Sequence, residues 1–349
     1  MVIGTSRRVH RARTATWRVA AVLLAGVAFY VVLPELGHVL GSWPRLRLLA
    51  PRWLVLMVAA EVASFLCLIA LVRMVMHAKS WFAVASAVMA GNAVTNILPA
   101  GDAVGAGVQF RMLQRAGVSG TAVAGGLASS SVLGLAGLFV LPVFVLPALV
   151  GGLVVNAGLM HAGELGIVGF ALIVLFGAAA LSGDRMLVGV ARAIQAAANR
   201  LRRRHGTDLP ARFLAQRDAT RADLGRDWLK VATLVGGHIA LDYVSLLCAL
   251  RATGASPNPS LVLLAYAATT VIALVPLTPG GLGVVEASLS GLLVLAGVPG
   301  ADALVATLAF RLGAFWMPEV AGGVLYLLFR RRYGALADPR GHATPRALD

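Results

Sequence analysis

The stretch Pro279-Gly280-Gly281-Leu282-Gly283-Val284-Val285, followed at once by Glu286, lies in the middle of an apolar segment long enough to sit inside a membrane. Proline removes a backbone donor and glycine destabilises a helix interior, so a helix breaks there. In hydrocarbon each freed N–H and C=O needs an internal partner. A broken segment at that depth survives only when it is packed in protein or lines a cavity. A carboxylate beside such a break marks a solute or lipid pathway rather than a plain anchor.

The composition around this stretch is that of a membrane protein. Of 349 residues, 59% are hydrophobic and 13% charged, with a mean hydropathy of +0.83, whereas soluble domains carry about 25% charged residues. An ordinary soluble enzyme or binding domain is excluded. The apolar runs are Trp17 to Leu33, Trp53 to Val72, Trp81 to Leu98, Thr121 to Val150, Gly163 to Leu181, Leu229 to Leu250, Leu261 to Leu277, Leu282 to Val298 and Ala303 to Phe329. Most are near the roughly 20 residues that a spanning helix needs. Trp17, Trp53, Trp81 and Trp228 stand at the heads of runs, where an amphipathic ring favours the headgroup level. The expected fold class is an all-α, polytopic membrane protein. Cys67 and Cys248 fall inside apolar runs and read as core residues, not as a disulfide. Met1 to Thr16 is basic and the run after it lacks a small-residue cleavage site, which suits a retained first helix.

Charge sets the expected topology. Arg7, Arg8, Arg11, Arg13 and Arg18 place the N-terminus in the cytoplasm, and Arg330, Arg331 and Arg332 place the C-terminus there too. Between them, Asp184 to Lys230 carries eleven basic residues against five aspartates and belongs inside as well. Arg45, Arg47 and Arg52 run against this pattern, but the other three basic regions are stronger. The expected organisation is a cytoplasmic tail (1–16), an N-terminal membrane half (17–183), a basic cytoplasmic linker (184–228), a C-terminal membrane half (229–329) and a second cytoplasmic tail (330–349).

Each half contains a helical hairpin broken by Pro and Gly. Aligned without gaps at an offset of 180, Pro99 matches Pro279, Gly101 matches Gly281, Val104 matches Val284 and Leu113 matches Leu293. Ala116, Gly117, Val118 and Gly120 then match Ala296, Gly297, Val298 and Gly300. On the charge-derived topology the two hairpins enter from opposite sides, which makes the repeats inverted, an arrangement that places transporter sites near the midplane. Both re-entrant and fully spanning hairpins suit the sequence.

Glu286 lies 12 residues before Val298, and Arg311 lies 11 residues after Gly300 on the next helix. At helical rise both sit about 16 to 18 Å below the same surface, near the middle of a core about 30 Å thick. Charges there need partners, so the two read either as a structural ion pair or as part of a site in which the Arg311 fork meets an anionic lipid head. The matching positions in the first half are Ala106 and Ser131, so the pair is not duplicated. Asp102 stands where it could cap a helix starting at the first apex, and Asn92, Thr95 and Asn96 suit partners for broken backbone. His238 and Asp242 are one turn apart, but two ligands do not make a metal site, and an interhelical hydrogen bond is the simpler reading. Glu61 is a similar lone acid, and Glu319, after Pro318, reads as an inner-end residue in reach of water. The candidate substrate-binding or translocation residues are Glu286, Arg311, Pro279, Gly280, Gly281, Gly283, Asp102, Pro99, Gly101 and Asn96, with no catalytic residue, metal ligand or cofactor expected.

The run Thr278-Pro-Gly-Gly-Leu-Gly-Val-Val-Glu286, then Ala296-Gly-Val-Pro, then Phe310-Arg311 with Phe315-Trp316, resembles the second half of the lysylphosphatidylglycerol synthase transmembrane family of flippase-like membrane proteins. Leu98-Pro-Ala-Gly-Asp102, Arg111 and Arg115-Ala-Gly-Val-Ser119 are similar to its first half, and the likeness covers roughly Trp53 to Phe329. The family pattern has a Gly-Gly and a Glu-Arg pair in the first half. Here Ala100 interrupts the glycines, and Ser129, Ser130 and Ser131 stand near the expected pair. The resemblance implies a stand-alone member without the aminoacyltransferase domain. It implies translocation or export of a polar or anionic lipid, or a lipid-linked precursor, across a bacterial plasma membrane. The alternatives are a scaffold for a partner lipid or glycan enzyme and a membrane-embedded transferase. The second lacks an Asp-x-Asp cluster or Ser/His/Asp set, and the basic linker shows no nucleic-acid-binding module.

Overall fold

A computed structural model describes residues 49–98, 101–138, 209–274 and 278–334. Pro99, the runs Trp17 to Leu33 and Gly163 to Leu181, most of the basic linker, the first tail and the second tail beyond Gly334 lie outside the described residues. Within them the protein is all-α, as expected for a polytopic membrane protein. The elements are α1 (Pro51–Val75), α2 (Trp81–Ile97), α3 (Gly101–Arg115), α4 (Gly120–Leu138), α5 (Leu209–Ala252), α6 (Pro259–Ala273), a 3₁₀ turn (Pro279–Gly281), α7 (Val284–Leu295), α8 (Gly300–Arg311), a π-helical segment (Leu312–Trp316) and α9 (Met317–Tyr333). Three of these stretches are long and apolar enough to cross a membrane: Pro51–Val75, Asp227–Ala252 and Gly300–Tyr333.

The helix ends follow local chemistry. Ser80 caps α2 by accepting from the Ala83 N–H at 3.2 Å, and Asn258 caps α6 by accepting from the Ser260 N–H at 2.9 Å. Pro51 and Pro259 occupy first helical positions, where a missing N–H is harmless. α5 departs from helical geometry at Asp227 (φ −124°, ψ 25°), beside the linker boundary expected at 228.

The matched segments end alike. α3 closes with Val118 N–H to Leu113 O at 3.1 Å around Gly117 (φ 89°), and α7 closes with Val298 N–H to Leu293 O at 3.0 Å around Gly297 (φ 91°). This is a left-handed glycine stop, and the next helices then begin at Gly120 and Gly300. Local structure therefore repeats at the offset of 180 read from the residues.

Two cores exchange elements between the halves. One buries Met57 of α1 with Leu246 and Leu250 of α5, Ala265 of α6, Leu289 and Leu293 of α7 and Ala306 of α8. The other buries Val72 of α1, Val84 and Ala87 of α2, Met112 and Leu113 of α3, Val123 of α4 and Phe329 of α9. Lipid tails are as apolar as leucine, so close backbone approach at small residues has to hold such helices together. Gly237 of α5 accordingly lies against Cys67 of α1, and Gly322 of α9 lies against α2 so tightly that a Cβ there would meet Ala93 Cβ at 3.1 Å. Cys67 and Cys248 are both free thiols.

Candidate functional site

From Thr278 to Gly283 the unwound backbone is held by a set of internal hydrogen bonds. Gly280, Gly281 and Gly283 have φ of 59°, 68° and 80°, a region that costs other residues about 1–2 kcal/mol. Thr278 O accepts from Gly281 N–H at 3.1 Å, and Pro279 O accepts from Leu282 N–H at 3.2 Å. The Thr278 hydroxyl donates to Leu282 O at 2.8 Å. Arg311 Nη2 donates to Gly280 O at 3.1 Å. Glu286, in the first turn of α7, accepts the Gly283 N–H at 2.7 Å. This backbone persists at membrane depth because each of these groups has an internal partner.

Glu286 and Arg311 are paired as their matched depths suggest. Arg311 Nε donates to Glu286 Oε1 at 2.5 Å, with side-chain exposures of 10% and 7%. The guanidinium carbon lies 4.1 Å from the Phe315 ring centre. Arg311 ends α8 at the point where the helix widens into the π-helical segment, a distortion common at functional positions. A Cβ on Gly280 would stand 2.6 Å from Phe315 Cε2 and 2.9 Å from Asn96 O. The second apex thus touches the end of α2.

These elements enclose a cavity of about 570 Å³. Asn92, Thr95 and Asn96 reach it from α2, Gly101 and Asp102 from α3, and Pro279, Gly280 and Gly281 from the second apex. Arg311, Ala314 and Phe315 form another wall. The remaining face comes from Glu61 and Phe65 of α1, His238 and Asp242 of α5, and Tyr266, Thr269 and Thr270 of α6. Of the residues singled out by sequence, Asn96, Gly101, Asp102, Pro279, Gly280, Gly281 and Arg311 line this space. Glu286 and Gly283 stand behind it and hold Arg311 and the α7 terminus, and Pro99 lies outside the described residues.

Three expectations change. Glu61 is not alone: it is buried, and its carboxyl faces that of Asp242. Glu319 gains a partner: half-buried, it accepts from Asn96 Nδ2 at 2.6 Å, and the packing of α9 on α2 brings the two together. Asn96 therefore serves a side chain rather than broken backbone, although Thr95 fits that role by donating to Gly101 O at 3.4 Å. A second, mostly apolar cavity of about 480 Å³ lies between α2 and α9, with Arg111 and Glu319 on its wall. The interhelical reading of His238 and Asp242 is what the structure has: His238 Nδ1 and Ser64 Oγ are 2.7 Å apart, and Asp242 accepts from the Tyr266 hydroxyl. Among the described residues no group of three or more His, Cys, Asp or Glu is placed to hold a metal ion. Tyr266 and Ser64 were invisible as site residues, and Phe315 stood only in the family motif. Their partners lie 24, 174 and 4 residues away, and only the last spacing is within reach of sequence reasoning.

The family model described as the lysylphosphatidylglycerol synthase TM region matches residues 16–322. A UPF0104 membrane protein of Pyrococcus horikoshii, PH1989, is 39% identical over 70 residues. That similarity covers 20% of this chain and 21% of the relative, so the chain matches only about a fifth of the relative's length. No solved structure matches the chain. Because the family match takes in both broken segments, the Glu286–Arg311 pair and every described wall of the cavity, this multi-pass membrane protein belongs to the lysylphosphatidylglycerol synthase TM region family.

Proposed function

We propose that the protein is a transporter, not an enzyme, and that it translocates or exports a polar or anionic lipid, or a lipid-linked precursor, whose head carries a phosphate. The observation that carries this reading is Arg311 on the wall of a cavity bounded by both helix breaks. Two of its five N–H donors are committed to Glu286 and to Gly280 O. The rest suit a phosphate, whose geometry the guanidinium fork matches. Asn92, Thr95 and Thr270 supply uncharged hydrogen-bonding groups around the same cavity for the remainder of a polar head. The proposal includes an inverted relation between the halves, which would let the cavity face each leaflet in turn. It also includes a bacterial plasma-membrane location with both termini cytoplasmic.

The test is reconstitution of the full chain into vesicles carrying head-group-labelled phosphatidylglycerol or phosphatidylethanolamine. Faster leaflet exchange than in protein-free vesicles, reduced in Arg311→Gln, is expected. Exchange no faster than in empty vesicles, together with an unchanged leaflet-by-leaflet lipid distribution in a deletion strain, would overturn the reading and favour a scaffold. For the topology, a cysteine introduced at Ser256 should label from outside intact cells, and labelling only after permeabilisation would remove the inverted arrangement.

A further inference from the structure

A phosphate-bearing head explains Arg311 but leaves the acids of α1 and α5 on the same cavity unexplained. Glu61 is 1% exposed, lines the cavity, and its buried Oε2 has no hydrogen-bond partner. The Asp242 carboxyl faces it from α5 and accepts the Tyr266 hydroxyl from α6. Ser245 Oγ is buried beside Glu61. His238, one turn before Asp242, is tied to Ser64 of α1. Of the other charged groups around the cavity, Arg311 is held by Glu286, and Asp102 stands exposed in the first turn of α3.

Two carboxylates facing each other in a medium of low dielectric do not both remain ionised, and one proton between them removes the repulsion. That proton would also supply the hydrogen bond that Glu61 Oε2 lacks. We propose that Glu61 and Asp242 form a proton-binding site, and that loading and release of this proton drive the conformational cycle of the cavity. The proton enters from water on one side and binds between the two carboxyls, with Tyr266 holding the Asp242 group in place. When the cavity opens to the other side, the O–H bond breaks, the proton passes to water and the pair is left doubly charged and hydrated. The proton site stands by itself, while its coupling to cargo rests on the lipid reading above.

Infrared difference spectra of the purified full chain between neutral and alkaline pH read the site directly. A protonated-carboxyl band is expected in the wild type, lost in Glu61→Gln and in Asp242→Asn, and displaced in Tyr266→Phe. Should a neutral variant fail to fold, Glu61→Asp keeps a carboxyl and should shift the band. A wild type without the band, a band unchanged in all of these variants, or a band abolished by sodium at constant pH overturns the proposal, the last in favour of a sodium site. In vesicles of phosphatidylethanolamine and phosphatidylglycerol with a labelled phosphatidylglycerol probe, an imposed pH gradient should speed exchange several-fold, and Glu61→Gln should remove that acceleration. Exchange indifferent to the gradient overturns the coupling and leaves the lipid function intact. An assigned band with no lipid movement supports the proton site and ends the lipid reading.

Discussion

The two broken hairpins share a plan and differ in chemistry. Both pair two short helices around a Pro/Gly break and both stop at Ala-Gly-Val, with the same left-handed glycine and matching hydrogen bonds. In the second, three left-handed glycines hold an unwound stretch, and α7 begins only at Val284. In the first, Ala100 and Ala103 stand at the positions of Gly280 and Gly283, and α3 is already helical from Gly101. The second hairpin carries the buried Glu286–Arg311 pair. Its counterparts Ala106 and Ser131 are exposed, and the Ser131 hydroxyl donates to its own helix at Leu127 O. The first break meets the cavity with uncharged amides and Asp102, the second with a buried ion pair, and two glycines and two charges separate the two.

The largest effect should come from the charges. Glu286→Gln or Arg311→Gln leaves its partner buried and unpaired, which costs about 3–5 kcal/mol. For a purely structural pair, the double neutral variant recovers stability and activity together; for a binding Arg311, it recovers stability alone. Thermal stability beside the vesicle assay separates these outcomes, and full activity and stability in both single variants would remove the pair from the comparison.

Next comes Gly280→Ala, which combines a left-handed backbone with a Cβ 2.6 Å from Phe315. Its loss of stability should exceed the about 1–2 kcal/mol of the backbone term alone. Gly283→Ala meets nothing within 4 Å, so it should lose only that term. Equal losses at the two sites would mean that the contact with Phe315 is not tight.

Gly117→Ala and Gly297→Ala have similar φ and open surroundings, so each should cost about 1–2 kcal/mol. Clearly unequal losses would break the likeness of the two stops. The smallest effect is expected for Ala103→Gly, which imports the second hairpin's glycine into an exposed first-hairpin position and should cost about 0.5–1 kcal/mol. A larger loss would show that helix α3 depends on that alanine.

Much of this architecture was legible because it is written in short-range chemistry. The Pro/Gly breaks and the Ala-Gly-Val stretches that match between the hairpins are short runs whose local geometry depends on residues within one or two turns. The depth match of Glu286 and Arg311 followed from counting helical rise on adjacent helices. The bond of Asn96 to Glu319 was not legible because the two are 223 residues apart, and no spacing rule reaches that far. Glu61 looked solitary for the same reason, since α1 and α5 are far apart along the chain and meet only through packing.

By itself, then, the sequence determined a membrane protein with two broken hairpins and one charged pair at depth. Hydropathy, backbone conformation and helical rise are local properties that need no knowledge of neighbours. Tertiary structure alone decided that both breaks open on one cavity, that α9 covers α2, and that two acids from separate helices face each other beside Tyr266. Those relations depend on which helix faces pack together in a lipid solvent without a hydrophobic driving force between helices, where small residues such as Gly237 and Gly322 set the approach.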